Sequence, residues 1–355
     1  MNTRVDFLNT RLVVCLFLLF FGEAGDEGRA EEVLTKPITF MSDGGWCWYQ
    51  DPRALISDGK LIVGGVSGQS GDVKVSVYDL DANVDLGTVT LRSDFQKDDH
   101  DVPAHFIMDE VNGRHRPYAR YAKKSEDTIA VSLTEAHPRN FGNSIYYAEF
   151  RDGSFYRSSG QLIKRLKSEG PLIPAEAERV YRGSEIQTNG KKGQSAPNSA
   201  WTSSIAFDGN ERQHIGYTLY LSNDDHRYRL ASWNGEGWND REVAYAGKCL
   251  YLDETSYTGL ITLDPSDPTS VYISSDVDPT SGRDLGGSHE VYHAKVNADD
   301  SSETIEWEPV TSGSSVRNIR PMVVSGQGRK VVLWLRGPWN TYKDYQSDIV
   351  GMILE

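Results

Sequence analysis

The segment SIYYAEFRDGSFYR, residues 144–157, contains the pattern that decides the fold. An apolar and aromatic run at 145–150 is followed by the pair Asp152-Gly153, and a second aromatic arm begins at Phe155. Two such runs joined by Asp-Gly are typical of a β-hairpin, because glycine readily adopts the positive φ that tight hairpin turns require. The segment therefore predicts two antiparallel strands joined by a short turn.

The same unit recurs along the chain. Further strand-like runs lie at 61–66, 73–78, 128–133, 228–233, 291–296 and 331–336. Repetition of strand, turn and strand is typical of propeller blades, each of which needs about 40 to 50 residues. Residues 31–355 therefore predict one all-β domain, a β-propeller of about seven blades. A jelly roll or sandwich of the same length is the alternative, and a short helix is expected at 174–179.

The composition excludes one class of partner and favours another. The 355 residues include 37 Lys and Arg against 51 Asp and Glu, a net charge of -14. Nucleic-acid binding would require a basic surface, so it is not expected. The 18 tyrosines and 8 tryptophans offer flat apolar faces of the kind that pack against sugar rings, although such residues also fill β cores.

The N-terminus predicts export. Arg4 and Arg11 precede the apolar run at 12–21, and Gly22-Glu23-Ala24 supplies small residues at a cleavage site. The run is short for a bilayer span, so residues 1–30 are predicted to be a signal peptide. We expect a secreted or periplasmic monomer with no membrane segment after cleavage.

Two cysteines, Cys47 and Cys249, remain after this segment. An oxidising compartment would allow them to pair, but two distant cysteines do not establish a disulfide. No Gly-rich phosphate loop follows a strand, so no nucleotide or other cofactor is expected. The many acids leave a structural Ca²⁺ open, although no ligand spacing specifies one.

The stretch KDDHDVPA, residues 97–104, is the strongest candidate for chemistry. Pro103 disfavours helix at the residue before it, so the stretch is predicted to be extended or a loop. Carboxylates on both sides of His100 would hold its imidazole in one tautomer and make it more basic. This pattern suits proton transfer, and a solvated acidic loop is the alternative.

Four motifs together resemble the BNR-repeat family of secreted propellers that includes ulvan lyases and rhamnosyl-glucuronate lyases. They are GGWCWYQDPRA at 44–54, DDHDVPA at 98–104, DHRYRLASWNG at 225–235, and SYTGL at 256–260 with LDPSDP at 263–268. The resemblance covers nearly the whole mature chain. It implies a seven-bladed propeller with a cleft at one end of its channel, acting on an acidic polysaccharide. Because the family also contains a rhamnosidase, the fold does not choose the reaction.

The resemblance also implies roles for particular residues. A lyase must neutralise the uronate carboxylate, remove the C5 proton and protonate the leaving oxygen at C4. His100 would be the base or acid, Tyr257 a second proton-transfer or orienting group, and Arg227 or Arg229 the carboxylate neutraliser. Substrate-binding roles are predicted for Lys124, Tyr217, Asp99 and Arg53.

Each role has an alternative. Arg227 and Arg229 share one face of a strand and could pair with acids of a neighbouring blade, and Tyr257 could be a core residue. The histidines at 289 and 293 are interpreted as structural, and no metal site is predicted.

One departure from the family pattern concerns its second histidine. Lyase relatives usually carry a histidine in a Tyr-x-x-His context, and Lys124 stands at the corresponding position. A lysine could bind an anionic sugar but is a poor general base at neutral pH. A glycoside hydrolase using two of Asp51, Asp98, Asp99 and Asp101, or a non-catalytic carbohydrate-binding propeller, therefore stays open.

Overall fold

Antiparallel β-sheets make up nearly all the regular structure. The computed structural model describes residues 36–47, 53–93, 97–98, 117–300 and 302–354, and the predicted signal peptide lies outside them. The first strand of the described chain is β1 (Ile38–Met41). The first sheet then contains β2 (Ala54–Ser57), β3 (Lys60–Val66), β4 (Val73–Asp79) and β5 (Val84–Arg92).

The second sheet is the largest. It contains β6 (Tyr118–Lys123), β7 (Ile129–Thr134), β8 (Ile145–Arg151), β9 (Ser154–Tyr156), β10 (Leu162–Arg165) and β11 (Glu178–Tyr181). A one-turn helix, α1 (Leu166–Glu169), and a 3₁₀ turn at Pro174–Glu176 connect its last two strands. The helix expected at 174–179 is therefore wrong in its second half, which belongs to β11.

The third and fourth sheets have four strands each. The third contains β12 (Ser199–Phe207), β13 (Gln213–Ser222), β14 (Asp225–Trp233) and β15 (Trp238–Gly247). The fourth contains β16 (Ile261–Asp264), β17 (Asp267–Ser275), β18 (Glu290–Lys295) and β19 (Glu308–Pro309).

The last sheet joins the two ends of the described chain. It contains β20 (Arg317–Gly326), β21 (Arg329–Gly337) and β24 (Asp348–Leu354), with a small hairpin of β22 (Trp339–Thr341) and β23 (Asp344–Tyr345) between the latter two. Strand β1 pairs with β24 through Ile38 and Gly351 and so completes this sheet.

The sheets follow one another through their first strands, in a propeller-like arrangement. Strand β6 contacts β12, β12 contacts β16, β16 contacts β20, and β20 contacts β2. We call the end at which these inner strands begin the entry end. The described residues form five sheets of four or more strands, so the prediction of an all-β fold is confirmed and that of seven blades is not.

The hairpin at 144–157 forms as its sequence predicts. Arg151 pairs with Ser154, and both turn residues have positive φ, 47° at Asp152 and 67° at Gly153. These angles suit a two-residue turn whose twist matches the flanking strands. The local turn chemistry therefore fixes the register of β8 and β9.

A buried polar network ties the last two sheets together. Trp334 Nε1 donates to Asn318 Oδ1 at 2.9 Å, and Asn318 Nδ2 donates to Glu290 Oε2 at 3.2 Å. All three side chains are buried. Because buried polar groups are costly unless hydrogen-bonded, each group depends on the others.

The described residues show the state of the two cysteines and the character of the helices. Cys47 is buried, Cys249 is partly buried, and both are free thiols. Among the helices that the structure describes, none has the length and apolar character needed to cross a bilayer.

Candidate functional site

An aromatic cluster occupies the entry end. Ring centroids lie 5.3 Å apart for Tyr118 and Trp201, 5.5 Å for Trp201 and Tyr257, and 5.6 Å for Tyr257 and Tyr251. Trp339 extends the series, 5.6 Å from Tyr251. Most pairs meet edge to face, the geometry that the ring quadrupoles favour. The cluster brings together residues from the second and third sheets, from the hairpin of β22 and β23, and from the loop before β16.

His137 lies against this cluster. It follows β7, and its ring centroid is 4.8 Å from that of Trp201 and 5.9 Å from that of Tyr118. Its Nδ1 accepts the main-chain N–H of Arg139 at 3.0 Å, and its Nε2 lies 3.6 Å from Glu254 Oε2. The ring is therefore oriented by two polar groups from different loops.

Glu254 is a buried carboxylate beside this imidazole. Its Oε1 accepts a hydrogen bond from Arg139 Nη1, whereas its Oε2 has no hydrogen-bond partner among the described residues. Burial raises the pKa of Glu254, and the positive charges of Arg139 and Lys192 partly oppose that effect. We call His137, Arg139 and Glu254 the histidine triad.

The segment at 184–199 holds the triad in place. Thr188 Oγ1 donates to the carbonyl of Arg139, and the N–H of Gly193 donates to the carbonyl of Asp253 at 3.0 Å. The hydroxyls of Ser195 and Thr255 lie 2.8 Å apart. The segment therefore links the loop after β7 to the loop that carries Glu254.

A small cavity lies between the inner strands. Its volume is about 30 Å³, and its lining includes Trp46, Arg120 and Arg320. Leu260 and Arg320, both in the lining, have φ of 78° and 58°, a left-handed conformation that costs energy for residues with side chains. A cavity of this volume accommodates a water molecule but no sugar ring.

Several of the predicted site residues reach the entry end. Tyr257 is in the aromatic cluster and buried, with 3% of its surface exposed, and Arg53 directly precedes β2. Lys97 Nζ lies 5.6 Å from the ring of Tyr345, and Asp98 Oδ2 lies 3.5 Å from Lys343 Nζ. Lys97 and Asp98, the first two residues of the acidic stretch, thus lie at the hairpin that contains Trp339. Asp99 and His100 lie outside the described residues, as do Asp51 and Asp101.

Tyr217, Arg227 and Arg229 lie in the third sheet. Arg229 Nε is 3.1 Å from Tyr217 Oη, and Arg229 Nη2 is 3.0 Å from Asp240 Oδ2. Burial raises the pKa of Tyr217, and the nearby Asp240 carboxylate raises it further. Arg227 Nε bonds Asp225 Oδ1 at 2.5 Å. Both arginines pair with acids of their own sheet, and their roles in catalysis stay predictions.

Lys124 lies at the opposite end of β6 from Tyr118. The strand runs from Tyr118 to Lys123 and rises about 3.3 Å per residue, so Tyr118 and Lys124 lie roughly 20 Å apart. Lys124 Nζ is 2.7 Å from Glu149 Oε1, which also accepts from Tyr147 Oη at 2.8 Å. The structure therefore places Lys124 in a largely buried ion pair.

Among the other described histidines, His214 and His289 are buried and His293 is half-buried. His293 Nε2 bonds the hydroxyl of Ser270 at 2.8 Å, and burial lowers the pKa of His289 to about 3. His214 stands between Ser232 and Asp208, but Ser232 is fully buried, so a substrate cannot reach its hydroxyl.

The histidine triad is absent from the motifs that the sequence brings forward. His137 lies in the loop after β7 and Glu254 in the loop between β15 and β16, so the two residues come together only in the folded chain. The available signal is weak: His137-Pro138-Arg139 lies shortly after the strand-like run at 128–133, where a propeller presents its loops.

The fold is an all-β, propeller-like architecture shared with solved polysaccharide lyases. A PL25 ulvan lyase bound to -[GlcA(1-4)Rha3S]- superposes with a TM-score of 0.56 at 11% identity, over 88% of this chain and 95% of that chain. A second structure of a PL25 ulvan lyase gives a TM-score of 0.55 at 11% identity and the same coverage. At this identity the similarity shows a shared fold.

An exo-1,5-alpha-L-arabinanase from a bovine ruminal metagenomic library is less similar. Its TM-score is 0.41 at 11% identity, over 89% of this chain and 95% of that chain. No family model matches the sequence, and no curated protein matches it.

Proposed function

We propose that the chain is a secreted polysaccharide lyase that cleaves uronate-containing, ulvan-like polysaccharide by β-elimination at the entry end. The observation that carries the proposal is the oriented His137 imidazole set among the rings of the aromatic cluster. An imidazole is the side chain best suited to proton transfer near neutral pH, and the half-buried rings of Tyr118 and Tyr251 are the members of the cluster with surface left for a sugar. The fold shared with solved ulvan lyases supports the same class of activity.

The chemistry assigns each group a task. A base removes the C5 proton of the uronate, the electron pair forms a C4=C5 double bond, and the C4–O bond breaks. An acid then protonates the leaving oxygen. His137 and His100 are proposed for these two proton transfers, and Tyr257 orients the sugar between them. The guanidinium of Arg139, whose side chain is 25% exposed, offers positive charge to the uronate carboxylate.

His137 would then be the second histidine of the site, a role that the family pattern assigns to the position of Lys124. Lys124 is held by Glu149 at the far end of β6, whereas His137 lies beside Tyr118 at the near end. A histidine from a different loop would then serve where the sequence pattern shows a lysine. Export follows from the predicted signal peptide.

The proposal is tested with ulvan and other uronate polymers. We expect growth of ultraviolet absorbance from the new C4=C5 bond, lost in His100→Ala and in His137→Gln. His293→Gln, a change of the same kind on β18, is the control and retains activity. New reducing ends without absorbance would identify a glycoside hydrolase, and binding without either product would identify a carbohydrate-binding module; both results contradict the lyase.

A further inference from the structure

We propose that Arg317 is an anion-binding residue of the entry end, which takes the carboxylate of a uronate unit next to the one that reacts. The proposal rests on the proposed function and adds a second subsite to it. Arg317 is the first residue of β20, one of the inner strands that begin at the entry end, and it is partly exposed.

Two main-chain carbonyls hold one edge of the Arg317 guanidinium. Nη1 and Nη2 both donate to the carbonyl of Leu250 at 3.3 Å, and Nη1 also donates to the carbonyl of Trp339 at 2.8 Å. A guanidinium has five N–H groups, so these bonds leave the Nε–H and the second N–H of Nη2. Because these two groups are parallel, they form a fork that fits both oxygens of a carboxylate.

The same fork binds a carboxylate elsewhere in the protein. Arg227 bonds Asp225 through Nε at 2.5 Å and through Nη2 at 3.0 Å. Among the residues that the structure describes, no carboxylate lies within ion-pair distance of Arg317, and Asp276 affects its pKa only from longer range. A half-buried charge without a counter-ion is costly, and an anionic ligand would remove that cost.

The strand holds the fork in place before any ligand binds. Asn318, the next residue, is fully buried, and its main-chain N–H donates to the carbonyl of His289 at 3.0 Å. Its Nδ2 donates to the hydroxyl of Ser314 at 2.9 Å. A binding group on a rigid element loses little freedom when its ligand arrives, so this placement suits recognition.

Arg317 and His137 lie at opposite ends of one series of rings. Centroids are 5.6 Å apart from Trp339 to Tyr251, 5.6 Å from Tyr251 to Tyr257 and 6.4 Å from Tyr257 to His137. Arg317 bonds the carbonyl of Trp339 at the first end. A sugar chain that crosses the half-buried ring of Tyr251 would therefore place its reacting uronate beside His137 and the neighbouring uronate at Arg317.

This role predicts a change in KM and little change in kcat. A group that binds a part of the substrate away from the reacting atoms stabilises the ground state and the transition state equally. Arg317→Lys keeps the positive charge but replaces the fork with a single ammonium. Loss of one charge-assisted hydrogen bond should raise KM by about tenfold or more, with kcat within about twofold.

A second readout needs no catalysis. In ¹⁵N-labelled full-length protein, the Nε–H signal of Arg317 is assigned through its own side chain and confirmed by its absence in Arg317→Lys. Methyl glucuronoside, which has no sugar at C4 to release, should shift this signal. Methyl glucoside at the same concentration, which lacks the carboxylate, should leave it in place.

The matched control is Arg241→Lys. Arg241 also bonds main-chain carbonyls, those of Asn297 and Asp300 at 2.6 Å, but it is buried, with 7% of its surface exposed. This variant should lose thermal stability while KM and the response of the Arg317 signal stay unchanged. The same behaviour in Arg317→Lys, lower stability with an unchanged KM, would make Arg317 a clamp for the two carbonyls and overturn the proposal.

The remaining outcomes separate this proposal from the proposed function. An Arg317 signal that methyl glucuronoside does not move, or that methyl glucoside moves equally, also overturns the carboxylate-binding role, while elimination itself can still stand. Elimination that is absent from every uronate polymer tested refutes the proposed function. A selective shift by methyl glucuronoside in that case still supports Arg317 as a carboxylate-binding residue.

Discussion

Replacing Lys124 with methionine distinguishes a structural lysine from a substrate-binding one. Its ammonium lies 2.7 Å from Glu149, and the carboxylate-bearing side chain of Glu149 is only 1% exposed. Removing one partner of a buried ion pair costs about 3 to 5 kcal/mol. Glu149 keeps bonds from Arg151 at 2.9 Å and Tyr147 at 2.8 Å, so we expect a smaller loss of about 2 kcal/mol.

The assay is chemical denaturation of Lys124→Met beside Lys60→Met. Lys60 is 4.0 Å from Asp79 with its side chain 40% exposed, and such surface pairs contribute about 0 to 1 kcal/mol. Affinity for a uronate oligosaccharide should be unchanged in Lys124→Met, because the residue lies at the end of β6 away from the aromatic cluster. Lost affinity with unchanged stability would refute the placement and restore the substrate-binding role.

Three further predictions concern the interior. Asn318→Ala should lower the free energy of unfolding by about 2 to 3 kcal/mol in urea denaturation, because Trp334 Nε1 loses its buried acceptor; a loss below 0.5 kcal/mol, on the order of an exposed site, would contradict this. Burial lowers the pKa of His226 to about 4, so the unfolded chain takes up the proton first and stability falls as pH drops from about 6.5 to 4, by about 3 kcal/mol. His226→Phe should make that fall shallower, and an unchanged pH dependence would show that another group causes it. Cys47 and Cys249 should both react with a thiol reagent in denaturant without reductant, and protection of both would indicate a disulfide.

Local chemistry explains what the sequence could predict about the fold. The turn at Asp152-Gly153 and the strands around it depend on a few adjacent residues, and their structure agrees with the prediction. The number of blades depends on whether each segment between two hairpins forms a sheet of its own or adds strands to a neighbouring sheet. Residues 157–198 do not build a blade of their own; β10 and β11 extend the second sheet instead, and α1 lies between them in the chain.

The site was harder to predict because its parts are distant in sequence. Arg139 and Glu254 are separated by 115 positions, and neither belongs to a recurring motif. The family pattern aligns Lys124 with a histidine by sequence position. In the structure, Lys124 follows the end of β6 that lies away from Tyr118. The direction of one strand, which no spacing reveals, decides which end of the sheet a residue reaches.

The most direct test of the central claim locates the bound sugar. Hydrogen–deuterium exchange with and without a uronate oligosaccharide should show protection in peptides covering 135–143 and 250–258, the loops that carry His137, Glu254 and Tyr257. Peptides covering 225–242, which contain Arg227 and Arg229, should exchange unchanged. Protection confined to 225–242 would contradict the account and place the sugar on the third sheet.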